Sequence, residues 1–310
     1  MKPLLFALLL AACSGKVTFE PNGMVSDAMN NDGISAPDSP ADSGGLQPGT
    51  LNVAWMHGSA SCNANTDPEL QTHEYNATTV IYRQNKCDTF EAPFIYLIIG
   101  TDSALLLDTG ATNTPALRTA VRAKIGTLPL VVAHTHSHGD HVAGDPQFAG
   151  QPNTTLVGTT TQAVYSEFGI DATSQGTKDL GGRVLDVFAI PGHQAQHIAV
   201  YDRNTGILFT GDTLYPGLLF ISDWTAYRAS VGKMLAFAQS HPIAYVLGAH
   251  VEMTAVAKQV YPYGTTYQPN EHVLQLPKSS IDALSAAVTE LGANPPNADV
   301  PYDDFVISPQ

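Results

Sequence analysis

Apolar runs alternate with short polar and glycine-rich turns over most of the chain after residue 50. Four of these runs predict two hairpins, because each pair is joined by a turn of polar residues. The hairpins are Phe94–Gly100 with Ala104–Leu107, and Ile198–Tyr201 with Ile207–Thr210. Three further runs predict single buried strands at Leu128–Ala133, Val184–Ile190 and Ile243–Leu247.

Apolar residues at helical spacing predict three helices among these strands. For the first helix we expect Thr114 as the cap, Pro115 at the first helical position and Gly126 as the stop. For the last we expect a start at Ser279, with Asp282 three residues on as in a capping box. The three apolar faces are Leu117, Val121 and Ile125; Tyr227, Val231 and Leu235; and Ile281, Leu284, Val288 and Leu291.

Polar clusters follow the predicted strands directly. One is the histidine-rich run His134–His141, which comes after the strand that ends at Ala133. Three others follow later strands and carry His193, Asp212 and His250. Loops at strand ends are where binding and catalytic residues are usually found, so these clusters are candidate site residues.

Four metal-ligating side chains lie within six residues, at His136, His138, Asp140 and His141. Imidazole nitrogen and carboxylate oxygen are the ligands that zinc takes when no thiolate is offered. In extended chain His136 and His138 point to the same side and can share one metal. Asp140 and His141 lie beyond Gly139 and can reach a second. The spacing therefore predicts two metal sites, and the alternative is a solvated histidine-rich loop.

This pattern resembles the metallo-β-lactamase superfamily, whose core motif His-x-His-x-Asp-His is matched by residues 136–141. Asp108 in Asp-Thr-Gly, His193 in Pro-Gly-His, Asp212 in Thr-Gly-Asp-Thr and His250 resemble its other motifs in order. The resemblance covers residues 51–265, approximately. It implies an α+β fold of the αββα type, in which two mixed sheets pack face to face with helices outside. It also implies that the site lies at one edge of the sheets.

The resemblance further implies a ligand set for two divalent ions, which we expect to be zinc. The set is His136, His138 and His193 for the first ion, Asp140, His141 and His250 for the second, and Asp212 as the bridge. Two such ions can hold a hydroxide between them and polarise a carbonyl. The implied activity is hydrolysis of a small ester, lactone, thioester or amide, with Asp140 orienting the hydroxide or shuttling its proton.

The residues after Asp212 indicate which branch of the superfamily the chain resembles. The run Asp212-Thr-Leu-Tyr215 resembles both glyoxalase II and the lactonases, and in lactonases this phenol contacts the substrate carbonyl. Tyr215 is therefore a candidate catalytic donor, and the alternative is that it packs with its hydroxyl satisfied. The basic glutathione-binding pattern of glyoxalase II is missing, because residues 216–221 are Pro-Gly-Leu-Leu-Phe-Ile.

Three alternatives to this function remain open. One is β-lactamase activity, although true β-lactamases of the superfamily usually have Ser or Cys at the position of Asp212. Another is an iron-dependent persulfide dioxygenase, which uses a single metal. The last is a non-catalytic metal-binding surface lipoprotein.

Several other residues near the motifs have weaker predictions. The tyrosine-rich segment Tyr261–His272 either covers the metal site or forms a surface loop with packed tyrosines. We expect His197 to donate to a neighbouring group and His134 to face the core.

Charge and size exclude some classes of partner. The net charge is −14, with 14 Lys and Arg residues among 310 and no run of them, so the chain has no electrostatic footprint for nucleic acid or anionic lipid headgroups. The expected partner is a small-molecule substrate. With 44% hydrophobic residues the chain can bury one large core, and we expect a single domain over residues 49–310.

The first residues predict export. Residues 1–12 have one lysine followed by an apolar run too short to span a bilayer, as in a signal peptide. Leu-Ala-Ala-Cys13 resembles a lipobox, which implies a lipid on Cys13 as the membrane anchor, and the alternative is ordinary cleavage near Ala12. Residues 13–48 read as a flexible stalk. We therefore expect a bacterial lipoprotein that is periplasmic or anchored to the outer membrane.

If Cys13 is acylated, two cysteines are left. In an oxidising compartment a disulfide between Cys62 and Cys87 is the default, and the alternative is two buried thiols.

Overall fold

A computed structural model describes residues 45–310. The predicted signal peptide at 1–12, the lipobox at Cys13 and the predicted stalk up to residue 44 lie outside the described residues. The packed chain reaches back to Gln47, whose backbone N–H donates to the carbonyl of Asn204. Within residues 45–310, no helix combines the length and the apolar character needed to cross a membrane.

Two six-stranded sheets form the centre of the fold, and a small third sheet lies beside them. The first sheet contains, in spatial order, β1 (Leu70–Asn76), β2 (Thr79–Gln84), β3 (Phe94–Ile99), β4 (Ala104–Leu107), β5 (Leu130–Ala133) and β6 (Thr154–Leu156). The second contains β7 (Gln175–Asp179), β8 (Val184–Ala189), β9 (Ile198–Asp202), β10 (Ile207–Gly211), β12 (Tyr245–Gly248) and β13 (Gln275–Leu276), in the order β13-β12-β10-β9-β8-β7. The third contains β11 (Leu218–Ile221), β14 (Val300–Pro301) and β15 (Val306–Pro309), in the order β11-β15-β14.

The helices lie between these strands in the chain. They are α1 (Ala116–Ile125), α2 (Gly139–Val142), α3 (Thr161–Phe168), α4 (Trp224–Ser240) and α5 (Ser279–Leu291). Both six-stranded sheets are mixed. In the first, neighbouring strands from β1 to β4 are antiparallel, whereas β4, β5 and β6 run parallel. In the second, β10 runs parallel to β12 but antiparallel to β9.

Alternating side chains sort the core into layers. On β3, Tyr96 and Ile98 face the space between the two large sheets, while Ile95 and Leu97 face outward with Val121 of α1. On the second sheet the outward-facing side chains pack against α4 and α5. The order of layers is therefore helix, sheet, sheet, helices, and the predicted αββα sandwich is confirmed.

Both predicted hairpins are present, as β3–β4 and β9–β10. The predicted start of α5 at Ser279 and the predicted stop of α1 at Gly126 are confirmed, whereas the two predicted N-terminal caps are wrong. Thr114 lies two residues before α1, and its hydroxyl donates to the Glu69 carboxylate instead of capping the helix. Ser279 is the first residue of α5 and makes no capping bond. In the first of these, a partner distant in sequence outcompetes the local cap.

The carboxyl ends of five strands meet at one edge of the sandwich. The neighbours β4 and β5 are parallel, as are β10 and β12, and β8 runs in the direction of β10 because each is antiparallel to β9. The polar clusters that follow these strands are therefore brought to the same edge.

Cys62 and Cys87 are joined by a disulfide, as predicted. The bond ties the segment before β1 to the turn that follows β2.

Candidate metal centre

The histidine-rich loop changes conformation in its middle. His138 is extended, with φ −66° and ψ 154°, whereas Gly139 to Val142 form the single helical turn α2. This change turns Asp140 and His141 away from the direction of His136 and His138, so the loop supplies side chains to two places.

The first place is a cluster of three imidazoles. Nδ1 of His138 lies 3.0 Å from Nε2 of His136 and 2.9 Å from Nε2 of His193, and the two Nε2 atoms are 3.2 Å apart. His136 and His193 are buried and His138 is half-buried.

The second place contains two imidazoles and two carboxylates. Oδ2 of Asp140 lies 3.2 Å from Nε2 of both His141 and His250, and these two nitrogens are 3.4 Å apart. Oδ1 of Asp212 lies 3.4 Å from His141 and 3.5 Å from His250.

Asp212 also reaches the first cluster, through its other oxygen. Oδ2 lies 3.6 Å from Nε2 of His193 and 3.8 Å from Nε2 of His136. The structure thus brings all seven predicted ligands together, in the two predicted groups, with Asp212 between them.

The donor set fits divalent metal ions. Ligands of a tetrahedral zinc ion lie about 3.3 Å apart, and the separations within each cluster are close to this value. Oδ1 of Asp212 is buried and has no hydrogen-bond partner within residues 45–310. A buried carboxylate oxygen in that position is costly unless a cation satisfies it.

Two ligands have the protonation states that bind a metal, whereas His141 and His250 do not. Burial lowers the pKa of the His136 imidazole well below its usual value, and the neighbouring imidazoles lower it further, so this ring is neutral at pH 7. Burial raises the pKa of Asp212, but the imidazoles of His250 and His141 outweigh it and keep the carboxylate ionised. Neutral imidazole and ionised carboxylate are the states that bind a metal. Burial lowers the pKa of His141 and of His250, but the nearby carboxylates, Asp212 foremost, outweigh it and raise both above 6.5, so these rings would give up a proton when a metal binds.

The remaining ring nitrogens of three of these histidines are held by acceptors. Nδ1 of His141 contacts the Asp108 carboxylate at 3.0 Å, and Nδ1 of His193 contacts the Phe220 carbonyl at 2.7 Å. Nδ1 of His250 lies 3.2 Å from the Glu91 carbonyl. Each contact directs the Nε2 atom of its ring toward the clusters, as is usual for metal-ligating histidines.

Two other histidines are buried nearby. His134 contacts the Asp145 carboxylate at 2.8 Å and faces the interior, as predicted. His197 stacks on His136, with ring centroids 4.7 Å apart. Its Nδ1 is 3.4 Å from the Thr213 hydroxyl, and its Nε2 has no hydrogen-bond partner in the described part of the chain.

Tyr215 is buried, and its hydroxyl is occupied. The hydroxyl donates to the Leu218 carbonyl and lies 3.2 Å from Oε2 of Glu252. The ring is 1% exposed and 5.6 Å from that of His250. This arrangement is the one expected if Tyr215 packs with its hydroxyl satisfied, and the catalytic role stays a prediction.

A cavity of about 680 Å³ opens beside both clusters. Its walls include Tyr263 from the tyrosine-rich segment, Leu218 and Phe220 from β11, and Ser308 from β15. The contribution of Tyr263 agrees with the idea that this segment borders the metal site.

The sequence analysis missed several residues of the cavity wall, namely Glu91, Glu252, Asp299, Ser308 and Gln310. Glu252 follows His250 by two residues, which is a signal that could have been used. The others carry no local signal, because their positions depend on the packing of distant segments.

Comparison with known proteins was made on sequence and on structure. A sequence profile described as "Metallo-beta-lactamase superfamily" matches residues 88–250. Among curated proteins, a hydroxyacylglutathione hydrolase from Synechococcus sp. is 32% identical over 129 residues, covering 40% of this chain and 50% of the relative. Another from Nitrosomonas eutropha is 33% identical over 156 residues, covering 47% of this chain and 56% of the relative. The chain therefore spans about half the length of the curated relatives it matches.

Similar solved structures include a metallo-beta-lactamase from Erythrobacter litoralis, with a TM-score of 0.52, 18% identity, and coverage of 73% of this chain and 99% of that protein. A metallo-beta-lactamase from Pontibacter korlensis gives a TM-score of 0.50 at 20% identity and covers 71% and 99%. At this level of identity the likeness concerns the fold.

Proposed function

The chain belongs to the metallo-β-lactamase superfamily, and from this membership we propose that it is a metal-dependent hydrolase with a binuclear, zinc-type centre. The proposed substrates are small esters, lactones, thioesters or amides. One observation carries the proposal: seven nitrogen and oxygen donors converge in two groups, and Asp212 directs one oxygen at each.

The proposed roles follow from these positions. His136, His138 and His193 would hold one ion, Asp140, His141 and His250 the other, and Asp212 would contact both. When bound, divalent ions supply Lewis acidity and make water a nucleophile near neutral pH.

Asp140 is the residue for which we propose a role in proton transfer. Its side chain is 20% exposed and lines the cavity, so a substrate or an attacking water can approach it. There the carboxylate would orient the water and take up its proton. Tyr215 stays a candidate donor only if its hydroxyl leaves the Leu218 carbonyl when substrate binds.

The curated relatives are named as hydrolases of hydroxyacylglutathione. Glutathione is a net anion, and no Lys or Arg is among the described residues that line the cavity. We therefore favour a substrate whose recognition does not depend on carboxylate groups of its own.

We also propose that the protein is exported and held at a bacterial membrane through a lipid on Cys13. The lipobox supports this proposal. So does the bond between Cys62 and Cys87, since disulfides persist mainly in oxidising compartments.

Metal analysis combined with a substrate panel tests the function. We expect about two equivalents of zinc per chain, because the donors exceed what one tetrahedral site can use. We also expect turnover of a lactone, thioester or ester that is lost on chelation and restored by zinc. A single tightly bound iron with persulfide oxidation would favour the dioxygenase instead, and preferred turnover of β-lactams would favour a β-lactamase.

A further inference from the structure

The cavity beside the metal centre has an acidic wall. Glu91, Glu252 and Asp299 line it in addition to the carboxylates of the metal clusters, and none of the described lining residues is Lys or Arg. The clustered carboxylates would be committed to metal, whereas these three line the space that a substrate occupies.

Two of these residues, Glu91 and Glu252, lie next to the metal clusters. The backbone carbonyl of Glu91 lies 3.2 Å from Nδ1 of His250. Oε2 of Glu252 accepts from the backbone N–H of Leu218 at 2.9 Å, which fixes this carboxylate against β11. Asp299, in contrast, is exposed and reaches the cavity from the segment before β14. The acidic wall thus extends from beside the metal clusters to an exposed residue.

Aromatic rings line the same space. Tyr263 is 72% exposed, and its ring meets that of Phe90 edge-on at 5.0 Å. Phe220 of β11 also lines the cavity and is half-buried. Carboxylates together with aromatic faces form the environment in which proteins hold ammonium groups.

Apart from the metal ions that the clusters would hold, the nearest cationic side chains do not cancel this field. Arg83 is fully buried and forms a two-pronged ion pair with Glu271. Lys86 is 2% exposed, donates to the Phe90 carbonyl and does not line the large cavity. Among the described residues, the cavity wall therefore carries these three carboxylates and no Lys or Arg, in a chain whose net charge is −14.

We propose that this cavity takes acyl substrates that carry a positive charge, of the ammonium type, at a distance from the bond that is cleaved, and that it excludes anionic ones. Glu91, Asp299 and Tyr263 are the residues that set this preference, and Glu252 contributes while also positioning β11. The cleavage rests on the proposed hydrolase function, whereas the preference for a cation in binding does not.

Binding of uncleavable ligands tests the preference directly. Three thioester analogues, in which a methylene replaces the sulfur, carry 4-trimethylammoniobutanoyl, 5,5-dimethylhexanoyl or glutaryl groups, and so are cationic, neutral and anionic at matched length. On the zinc-loaded protein, calorimetry should give a Kd about tenfold lower for the cation than for the neutral isostere, and weaker binding of the anion. Equal Kd values, or tighter binding of the anion, would overturn the proposal.

Charge-neutralising variants test which residues are responsible. Glu91→Gln and Asp299→Asn should each reduce the neutral-to-cation ratio of Kd values about threefold, and added salt should reduce it as well. Glu290→Gln is the matched control, because Glu290 is exposed on α5 and does not line the cavity. If Glu91→Gln and Asp299→Asn keep the wild-type ratio, as the control should, the acidic wall does not determine the charge preference.

The corresponding thioesters separate this inference from the proposed function. Cation-selective binding without cleavage of any of the three, at full zinc occupancy, would argue against the hydrolase and leave the charge preference intact. Cleavage of all three thioesters with equal kcat/KM, together with equal binding of the three analogues, would support the hydrolase function and overturn the charge preference.

Discussion

The Asp108 carboxylate lies 3.0 Å from Nδ1 of His141, and neither side chain is exposed to solvent. Asp108 adopts φ 73°, an uncommon conformation for a residue other than glycine, directly after β4. Its carboxylate also accepts from the backbone N–H and the hydroxyl of Thr135. These bonds orient the His141 ring so that its Nε2 faces Asp140 and Asp212.

Asp108→Asn should weaken metal binding without removing a ligand. The neutral amide accepts a weaker hydrogen bond from Nδ1 of His141 than the carboxylate does, so the ring is held less firmly, and we expect a loss of about 10- to 100-fold in affinity for one metal equivalent. Competition with a chelator of known affinity measures this loss. Asp282→Asn, at an exposed position of α5, is the control. Unchanged affinity in Asp108→Asn would show that the contact does not support metal binding.

Asp212→Ser separates metal assembly from chemistry. The other six donors remain, so metal should stay bound with lower affinity at one site. Hydrolysis of the best substrate should fall at least about a hundredfold, as often follows the loss of one preorganised charged group. Metal content and kcat/KM are measured on the same preparation. Full activity would rule out the bridging role of Asp212 and favour a single-metal or β-lactamase-like mechanism.

Tyr215→Phe distinguishes packing from catalysis. The variant loses the bond to the Leu218 carbonyl, so we expect a decrease of about 1 kcal/mol in the free energy of unfolding, with unchanged metal content. Because the hydroxyl is occupied, kcat/KM should fall by less than about threefold. A decrease of tenfold or more at full metal occupancy would instead support the predicted contact with the substrate carbonyl.

The contact between His272 and Asp304 should make stability depend on pH. Burial lowers the pKa of His272, but the Asp304 carboxylate, 3.5 Å away, and the Val273 carbonyl outweigh it and raise the pKa above 6.5. The hydrogen bond with His272 lowers the pKa of Asp304 below 3.8. The histidine therefore adds stability that is present below pH 6.5 and lost as the pH rises through its folded pKa. The carboxylate adds stability that is present above pH 3.8 and lost as the pH falls through its own folded pKa.

His272→Gln should consequently cost more stability near pH 5.5 than near pH 9. Denaturant unfolding at both values measures the difference, and His57→Gln serves as an exposed control. The same cost at the two pH values would mean that the ion pair contributes nothing measurable.

Cys13→Ser tests the predicted anchor, which lies outside the described residues. Acylation needs the cysteine thiol, so the variant should move from the membrane fraction to the soluble fraction, while Ser14→Ala should remain with the membrane. Cell fractionation followed by immunoblotting measures the distribution. Unchanged fractionation of Cys13→Ser would remove the lipoprotein prediction.

The sequence by itself predicted the strands and the loop that carries four of the ligands, whereas its resemblance to the metallo-β-lactamase superfamily implied the sandwich and the full ligand set. The apolar runs of β3, β8 and β10 carry enough buried side chains to specify strands without knowledge of their partners. The ligands could be grouped because they lie within one short loop or directly after such strands, where the parallel pairs β4–β5 and β10–β12 leave little freedom. The disulfide followed from counting cysteines.

The cavity wall was decided only by the tertiary structure. Strand β15 pairs with β11, which lies far away in sequence, and this pairing brings Ser308 to the cavity. The Thr114 hydroxyl donates to Glu69 instead of capping α1, and the Tyr215 hydroxyl donates to the Leu218 carbonyl. The partner of Thr114 is distant in sequence, whereas that of Tyr215 is only three residues away. Local periodicity records which face of an element is buried, but not which distant group will come within hydrogen-bonding distance of it.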